Sequence, residues 1–325
     1  MKAILSVDGG GIRGIIPATF LVEFEKRAGK PTCELFDLIA GTSTGGLLAT
    51  GLTLPDGGGR PKYTAAQMLA AYFEDGGAIF RKSLCRTVMT LGGLIRPIYS
   101  PRALERVLER YLGDARLHTT LTEVLIPAYD MESSTPWFFK TSFARQNRSP
   151  ANDPLLTEVV RATTAAPTYF PPLAMAGHCM IDGAVFAGNP ALCALAQARN
   201  MFPDETEFLV VSLGTGQEMH HLPCGVVCGW GKADWAKPIS TVMLNASSAS
   251  VNYQMRALVG AKNYARFQVL LDKDAAAMDD ASPENMRHLE AIAQQAVRQH
   301  AGAIDRLCRR LLQNTQNLQN CNVAS

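Results

Sequence analysis

A serine between two glycines is the strongest candidate for chemistry in this sequence. Gly41, Ser43 and Gly45 have the Gly-x-Ser-x-Gly spacing of a nucleophile elbow, in which a serine hydroxyl projects from a sharp turn between a strand and a helix. Small residues are needed on both sides because the backbone of such a turn is strained and crowded. The motif alone is common in glycine-rich chains. Here an apolar segment precedes it and small or apolar residues follow, which favours a nucleophilic serine exposed at a turn.

A glycine cluster near the N-terminus permits two interpretations. Gly9, Gly11 and Gly14 satisfy the Gly-x-Gly-x-x-Gly fingerprint of a dinucleotide-binding loop, although no acidic residue follows at a convincing ribose position. In the alternative, the N–H groups of Gly9, Gly10 and Gly11 converge on the point where an oxyanion forms during ester cleavage. Arg13 would then hold the loop or attract a phosphate group, and the sequence equally allows it an ordinary salt bridge at a helix end.

A nucleophilic serine needs a base, and a carboxylate is a better candidate here than a histidine. None of the six histidines lies in a setting typical of catalysis; they are His118, His178, His220, His221, His288 and His300. Asp182 follows a short apolar segment and precedes Gly183, as expected of a side chain presented at a strand end. A carboxylate with its ordinary pKa of about 3.9 is a weak base, but burial beside the hydroxyl raises that pKa. Spacing alone leaves Asp182 as either this base or a turn residue, and we expect Asp8 to anchor the glycine loop.

The segments around these motifs predict a three-layer α/β/α fold with a mostly parallel central sheet. Apolar segments at 3–7 and 34–40 indicate buried strands, and each passes through a glycine turn into a helical segment. Further predicted strands cover 121–129, 137–141, 180–181, 207–213 and 266–271. Predicted helices cover 12–28, 46–54, 64–75, 101–111, 155–165, 189–200 and 283–312.

No linker divides the sequence, so we expect a single domain over residues 1–325, with residues 55–120 as an insertion that covers the site. Within it, residues 76–100 interleave apolar and basic side chains. The apolar ones are Phe80, Leu84, Val88, Met89, Leu91, Leu94, Ile95 and Tyr99, and the basic ones are Arg81, Lys82, Arg86 and Arg96. This segment is either packed on the core with solvated arginines or a lid whose apolar side enters a membrane surface.

Composition and charge argue against several classes of protein. The net charge is only +2, which gives no support to a nucleic-acid polymer as partner. The apolar runs stop short of the roughly 20 residues of a membrane span, and the first residues do not form a signal peptide. We expect a cytoplasmic protein, with export by a route that uses no such signal left open. Cys224 and Cys228 are spaced like half of a zinc site with His220 and His221 just before them, but the second half is missing and free thiols are expected.

Three motifs, at residues 8–14, 41–45 and 182–184, together resemble the signature blocks of the patatin-like phospholipase family. The resemblance continues at 162–172, 188–190, 212–216 and 278–282, and it covers about residues 2–285. It implies a patatin-like fold and hydrolysis of fatty-acyl esters in glycerolipids, with no metal or organic cofactor. The compactness of the chain is similar to that of a bacterial stand-alone member.

The resemblance also implies the site residues and the partners. Ser43 and Asp182 would form a dyad without histidine, Gly9, Gly10 and Gly11 would form the oxyanion hole, and Arg13, Gly41, Gly45 and Gly183 would support them. The substrate would be a phospholipid or lysophospholipid, reached through peripheral contact with a membrane surface. Two alternatives use the same dyad: an acyltransferase, and a defence effector of bacteria whose small-molecule activator, a cyclic nucleotide, would bind within 55–120.

Overall fold

The computed structural model describes residues 1–81, 96–218, 222–236 and 238–323, with the backbone alone from 315 to 323. Its strands are β1 (Lys2–Val7), β2 (Leu38–Gly41), β3 (Glu123–Asp130), β4 (Thr135–Lys140), β5 (Leu173–Met175), β6 (His178–Asp182), β7 (Phe208–Leu213), β8 (Gln217–Glu218), β9 (Tyr264–Phe267) and β10 (Leu270–Leu271). Eight of them form one sheet in the order β5-β6-β3-β2-β1-β7-β9, with β4 also paired to β3. The β2, β1, β7 and β9 neighbours are parallel, as is β2 with β3.

Helices cover both faces of this sheet. They are α1 (Ile15–Ala28), α2 (Thr32–Leu35), α3 (Thr44–Thr53), α4 (Ala65–Ile79), α5 (Pro101–Leu112), α6 (Thr141–Gln146), α7 (Leu156–Thr163), α8 (Ala184–Ala187), α9 (Ala191–Met201), α10 (Cys224–Val227), α11 (Lys232–Trp235), α12 (Pro238–Val259), α13 (Pro283–Gln299) and α14 (Ala301–Val323), and 3-10 turns cover Gly11–Gly14 and Leu117–Thr119. None of these helices combines the length and the apolar character that crossing a bilayer requires in the described part of the chain.

Alternate residues of the central strands belong to two separate cores, as expected of a sheet covered on both sides. In β1, Leu5 and Val7 pack into the larger core with α1, α3 and α13. Ile4 lies in the smaller core, where it packs with α9 and with Met255 of α12. The three-layer α/β/α fold with a mostly parallel sheet is therefore confirmed.

The two strands that carry the candidate dyad meet end to end along one edge of β3. At Leu125, β3 pairs with both β2 and β4, and at Ala128 it pairs with both β4 and β6. Since a strand has two edges and β4 occupies one of them, β2 and β6 share the other. They run in opposite directions, β2 parallel to β3 and β6 antiparallel. The end of β2 therefore points at the end of β6.

Three predicted elements differ from the structure. The strand predicted over 34–40 is a short helix followed by β2, because Pro31 precedes a turn whose Glu34 N–H donates to the Pro31 carbonyl. The strand over 266–271 divides into β9 and β10, where Gln268 turns inward to accept from the Gly216 N–H. The helix over 283–312 divides at His300, so that its second part packs against α1 as well. No element was assigned to 238–259, where the structure has α12.

The 76–100 segment is described only at its ends. Residues 82–95, which include Lys82, Arg86 and most of its apolar side chains, lie outside the described residues. Tyr99 is fully buried and its ring packs against those of Phe80 and Phe170, which excludes it from an exposed lid surface. The Tyr99 hydroxyl donates to Asp279, so a polar partner inside the fold holds this aromatic ring in place.

Candidate active site

Ser43 lies on a strained turn between β2 and α3. Its backbone has φ 56° and ψ −121°, values that a residue with a side chain rarely adopts. The turn closes only because its neighbours lack side chains. A Cβ on Gly41 would lie 2.0 Å from the Gly45 carbonyl oxygen, and one on Gly45 would lie 2.3 Å from the Val7 carbonyl oxygen. The sequence motif thus reflects a close approach of three backbone segments.

The Thr163 side chain, which lies outside the motif, holds this turn through two hydrogen bonds. The Ser43 N–H donates to Thr163 Oγ1 at 2.9 Å, and that hydroxyl donates to the Pro127 carbonyl at 2.6 Å. Thr163 therefore connects the serine backbone to the middle of β3. Ser43 was expected to be exposed, but only 8% of it is, because the glycine loop and Ala184 cover it and it opens only into a cavity.

Asp182 reaches the serine from the opposite strand end. Its carboxylate is buried, its Oδ1 accepts from the Ala184 N–H at 2.8 Å, and it also accepts from the Ser43 hydroxyl. Burial raises the pKa of Asp182 to about 7, and these hydrogen bonds from Ser43 and Ala184 oppose the rise. Gly183 leaves room for this arrangement, since a Cβ there would lie 2.4 Å from the Pro127 carbonyl oxygen. The pair can exchange a proton near neutral pH.

The glycine loop lies over the serine, with two of its three amides available. The Gly9 N–H donates to the Gly188 carbonyl at 3.0 Å, which occupies it. The N–H groups of Gly10 and Gly11 have no acceptor among the described residues. Gly11 has φ 59°, and a Cβ on Gly10 would lie 2.4 Å from Thr215 Oγ1. The expected oxyanion hole thus has two candidate donors instead of three.

Buried charges fix the loop from below. Asp8 receives two hydrogen bonds from Arg266, at 2.8 and 2.5 Å, and this arginine also donates to Ser212. Burial raises the pKa of Asp8, and the positive charges of Arg266 and Arg13 oppose that rise. Asp8 therefore anchors the loop, as expected. Arg266 escaped prediction, although an arginine inside a short buried strand indicates an acidic partner.

Arg13 also holds the loop from within the cavity wall. Its Nε donates to the Gly10 carbonyl at 3.4 Å and its Nη1 to the Ala276 carbonyl at 3.3 Å. Burial lowers the pKa of Arg13 to about 10, with the charges of Tyr169, Glu218 and Asp8 opposing that shift. The first of these contacts is to the glycine loop and is the one expected if Arg13 holds the loop, while the second is to the segment before α13.

A cavity of about 700 Å³ opens above Ser43. One side carries the glycine loop, Ser43, Asp182 and Arg13. The far side is mainly apolar, although Asp75 also lines it, and is formed by α4, α5 and the segment after α7, with Met68, Ile79, Phe80, Leu104, Val107 and Phe170. The remaining wall is the amino-terminal half of α12. Such a cavity fits a long apolar chain whose polar end lies at the serine.

No histidine within the described ranges lines this cavity. His118 and His178 instead bind Asp153 and Asp130, at 2.6 and 2.9 Å. His220 and His221 lie outside the described residues. Over the part of the chain that is described, no cluster of three or more acidic, histidine or cysteine side chains could hold a metal.

Comparison with known proteins gives consistent matches. A family model for patatin-like phospholipases matches residues 5–195, which contain all three motifs. Patatin-like protein 2 of Arabidopsis thaliana is 36% identical over 88% of this chain and 80% of its own length. Patatin of Solanum tuberosum is 33% identical, over 90% of this chain and 83% of its own length. The crystal structure of VipD from Legionella pneumophila aligns with 92% of this chain and 67% of that chain, at 12% identity and a TM-score of 0.40.

Proposed function

The chain belongs to the patatin-like phospholipase family and is a carboxylic ester hydrolase that acts on lipids, and we propose that it cleaves fatty-acyl esters of phospholipids or lysophospholipids through a Ser43–Asp182 dyad. The observation that carries this proposal is the buried Asp182 carboxylate, which accepts from the Ser43 hydroxyl and has a pKa of about 7. A carboxylate with that proton affinity is a usable base at neutral pH, whereas an exposed aspartate is not.

In the first step, Ser43 Oγ attacks the ester carbonyl carbon while Asp182 takes the serine proton. The carbonyl oxygen becomes an oxyanion, and the Gly10 and Gly11 N–H groups donate to it. The position of Ser43 at the start of α3 adds the positive end of the helix dipole. Asp182 then gives its proton to the leaving alcohol, and an acyl-enzyme on Ser43 remains.

In the second step, Asp182 takes a proton from water, and the resulting hydroxide attacks the acyl-enzyme carbonyl. The same glycine amides stabilise the second oxyanion. When the intermediate collapses, Asp182 returns the proton to Ser43 and a free fatty acid leaves. The apolar far side of the cavity holds the acyl chain during both steps, and Arg13 keeps the glycine loop in place.

Product analysis tests the proposal directly. The protein is incubated with mixed phosphatidylcholine and lysophosphatidylcholine vesicles, and the lipids are measured by mass spectrometry for wild type and Ser43→Ala. We expect free fatty acid from wild type only, since the alanine variant keeps the fold but has no nucleophile. Fatty acid release by a folded Ser43→Ala protein contradicts the dyad, and acyl groups found on a second lipid identify a transferase.

A further inference from the structure

The long helix α12 exposes large apolar side chains to solvent, whereas the side that lines the cavity carries polar side chains together with Leu244. Thr241, Asn245 and Ser248 point inward and line the cavity. Large apolar side chains point outward, with Ile239 40% exposed and Tyr253 76% exposed. All 22 residues of the helix are described, and Met255 alone is buried. An outward apolar face of this length needs a partner.

Six of the exposed residues of α12 lie on one side of the helix, and we term this face the outer stripe. It consists of Ile239, Met243, Ala246, Ser250, Tyr253 and Ala257, which are all exposed. Their alternating spacing of four and three residues places them on one side of a helix. No member of the stripe is charged, and Arg256 is the one charged residue in the sequence of α12. The stripe therefore presents neutral surface over most of the helix length.

The outer stripe is continuous with the mouth of the cavity. Met243 is 62% exposed and also lines the cavity, as does Val185 on α8, which is 44% exposed. We term the glycine loop, Ser43 and Asp182 the catalytic floor of the cavity. The inner face of α12 is connected to this floor, because Arg266 donates to Ser248 Oγ at 3.3 Å and also binds Asp8, which anchors the glycine loop. An apolar molecule that leaves a bilayer under the stripe thus meets Met243 and Val185 before it reaches the serine.

We propose that the outer stripe of α12 is the surface on which the protein rests on a lipid bilayer, so that an acyl chain passes over Met243 into the cavity. The proposal rests on the lipid hydrolase function above and adds the face by which the substrate arrives. A helix that lies in a membrane interface buries one apolar face among the acyl chains. Tyr253 suits this boundary because its ring is apolar and its hydroxyl is polar.

A second copy of this chain is the rival occupant. The small residues Ala246, Ser250 and Ala257 would let another helix approach closely. However, a copy seated along the full stripe would cover Met243 and Val185 and close the mouth of the cavity. The bilayer leaves that mouth open to its own acyl chains, so continuity with the cavity favours lipid.

The test measures vesicle binding with hydrolysis removed. In a Ser43→Ala background, Ile239→Asp with Tyr253→Asp is compared with Phe143→Asp by co-sedimentation with phosphatidylcholine vesicles. Phe143 is a matched control, because it is an apolar side chain that is 46% exposed. It lies on α6, which directly follows the last residue of β4, and the chain there runs away from the elbow. We expect binding of the stripe variant to fall roughly tenfold or more and that of the control to be unchanged. Added salt should not weaken wild-type binding, because the stripe is uncharged.

Three results would overturn the proposal: equal binding by both variants, binding by wild type that salt abolishes, or a wild-type dimer in sedimentation velocity that the stripe variant dissociates. With Ser43 restored, the rate on a soluble p-nitrophenyl ester separates this proposal from the proposed function. If the wild-type protein cleaves this ester but does not bind vesicles through α12, the membrane-surface proposal is refuted and the proposed hydrolase function is not. If the double variant loses the ester rate through misfolding, the milder Tyr253→Ser repeats the comparison.

Discussion

Ser43 and Asp182 lie at the ends of buried strands, where β3 and the glycine loop hold them, whereas α12, which forms another wall of the same cavity, buries Met255 alone. The catalytic floor is built from backbone close approaches and hydrogen bonds that tolerate little change. The α12 wall has few buried contacts and an outward apolar face. Under the proposed function the floor would perform the chemistry and the wall would govern access, so changes in the two should affect different measurements.

The largest effect is expected from Asp182→Asn on the floor. The amide has nearly the shape of the carboxylate but cannot accept the serine proton, so kcat on a soluble ester should fall roughly 10³- to 10⁴-fold. Wild-type activity should rise with pH through about 7, where the carboxylate loses its proton. His118→Ala and His178→Ala serve as controls and should keep most of the rate. A comparable loss in either one would reveal a triad.

The same substitution should change stability with the opposite sign to activity. Burial raises the pKa of Asp182 from 3.8 to about 7, so the folded protein binds this proton more tightly than the unfolded chain. That stabilisation is complete below about pH 3.8 and is lost as the pH rises through about 7. Asp182→Asn should therefore raise the Tm relative to wild type more at pH 8 than at pH 5. A difference in Tm that does not change with pH would show that the carboxylate is not buried as described.

Gly10→Ala should reduce the rate roughly 10²-fold, because the loop that holds an oxyanion donor must move. The added methyl group would lie 2.4 Å from Thr215 Oγ1, which itself donates to the Gly9 carbonyl. Gly77→Ala is the matched control, since the nearest atom to a Cβ there is 3.9 Å away. Steady-state kinetics on a p-nitrophenyl ester should show a fall in kcat for Gly10→Ala alone. Equal rates would remove Gly10 from the oxyanion hole.

Thr163→Val should have a smaller effect, divided between rate and stability. It leaves the Ser43 N–H without its acceptor and the Pro127 carbonyl without its donor, which costs about 1–3 kcal/mol of unfolding free energy. We expect kcat to fall about tenfold because the elbow loses its connection to β3. Thr163→Ser keeps the hydroxyl and should restore most of both quantities. Failure of serine to rescue kcat would assign the loss to packing instead.

The smallest catalytic effect is expected from Met255→Ala in the carboxy-terminal half of α12, which packs on the smaller core and does not line the cavity. Removing a buried methionine side chain costs about 2–5 kcal/mol in a tightly packed core, and we expect the low end because the rest of α12 is partly open to solvent. Denaturant unfolding should detect this loss, while kcat on a soluble ester stays within about twofold of wild type. A fall in kcat as large as that of Thr163→Val would show that wall and floor are not separate.

The elbow could be predicted from sequence because its constraints act over a few neighbouring residues, and Gly41, Ser43 and Gly45 carry the turn within five positions. Spacing alone left Asp182 as either a base or a turn residue, and its pairing with Ser43 was implied by the resemblance to the family. Thr163 and Thr215 were not singled out, although both lie in stretches, 162–172 and 212–216, that resemble the family. Their role depends on carbonyl groups far along the chain, which spacing cannot show.

The helix α12 could not be predicted from sequence because its apolar residues do not follow the spacing of one buried face. Met243 faces outward beside Leu244, which faces the cavity, so no single apolar stripe marks a buried side of α12. The strand predicted over 34–40 was wrong only before Leu38, where β2 begins, and for a different reason. Its apolar residues suit either state, and Asp37 is held by the Ala3 N–H and Lys2 of the neighbouring strand, which only the assembled sheet reveals.

Because β2 and β6 end on the same edge of β3, the length of β3 acts as a ruler for the dyad. Ala40 pairs with Leu125 and Asp182 with Ala128, so three residues of β3, about 10 Å of extended chain, set the gap that the elbow and the aspartate bridge. An added residue between these positions would lengthen the gap by about 3 Å and turn the following side chains to the other face. A change in β3 can therefore abolish function although β3 contributes no catalytic side chain, because it alters the distance between Ser43 and Asp182.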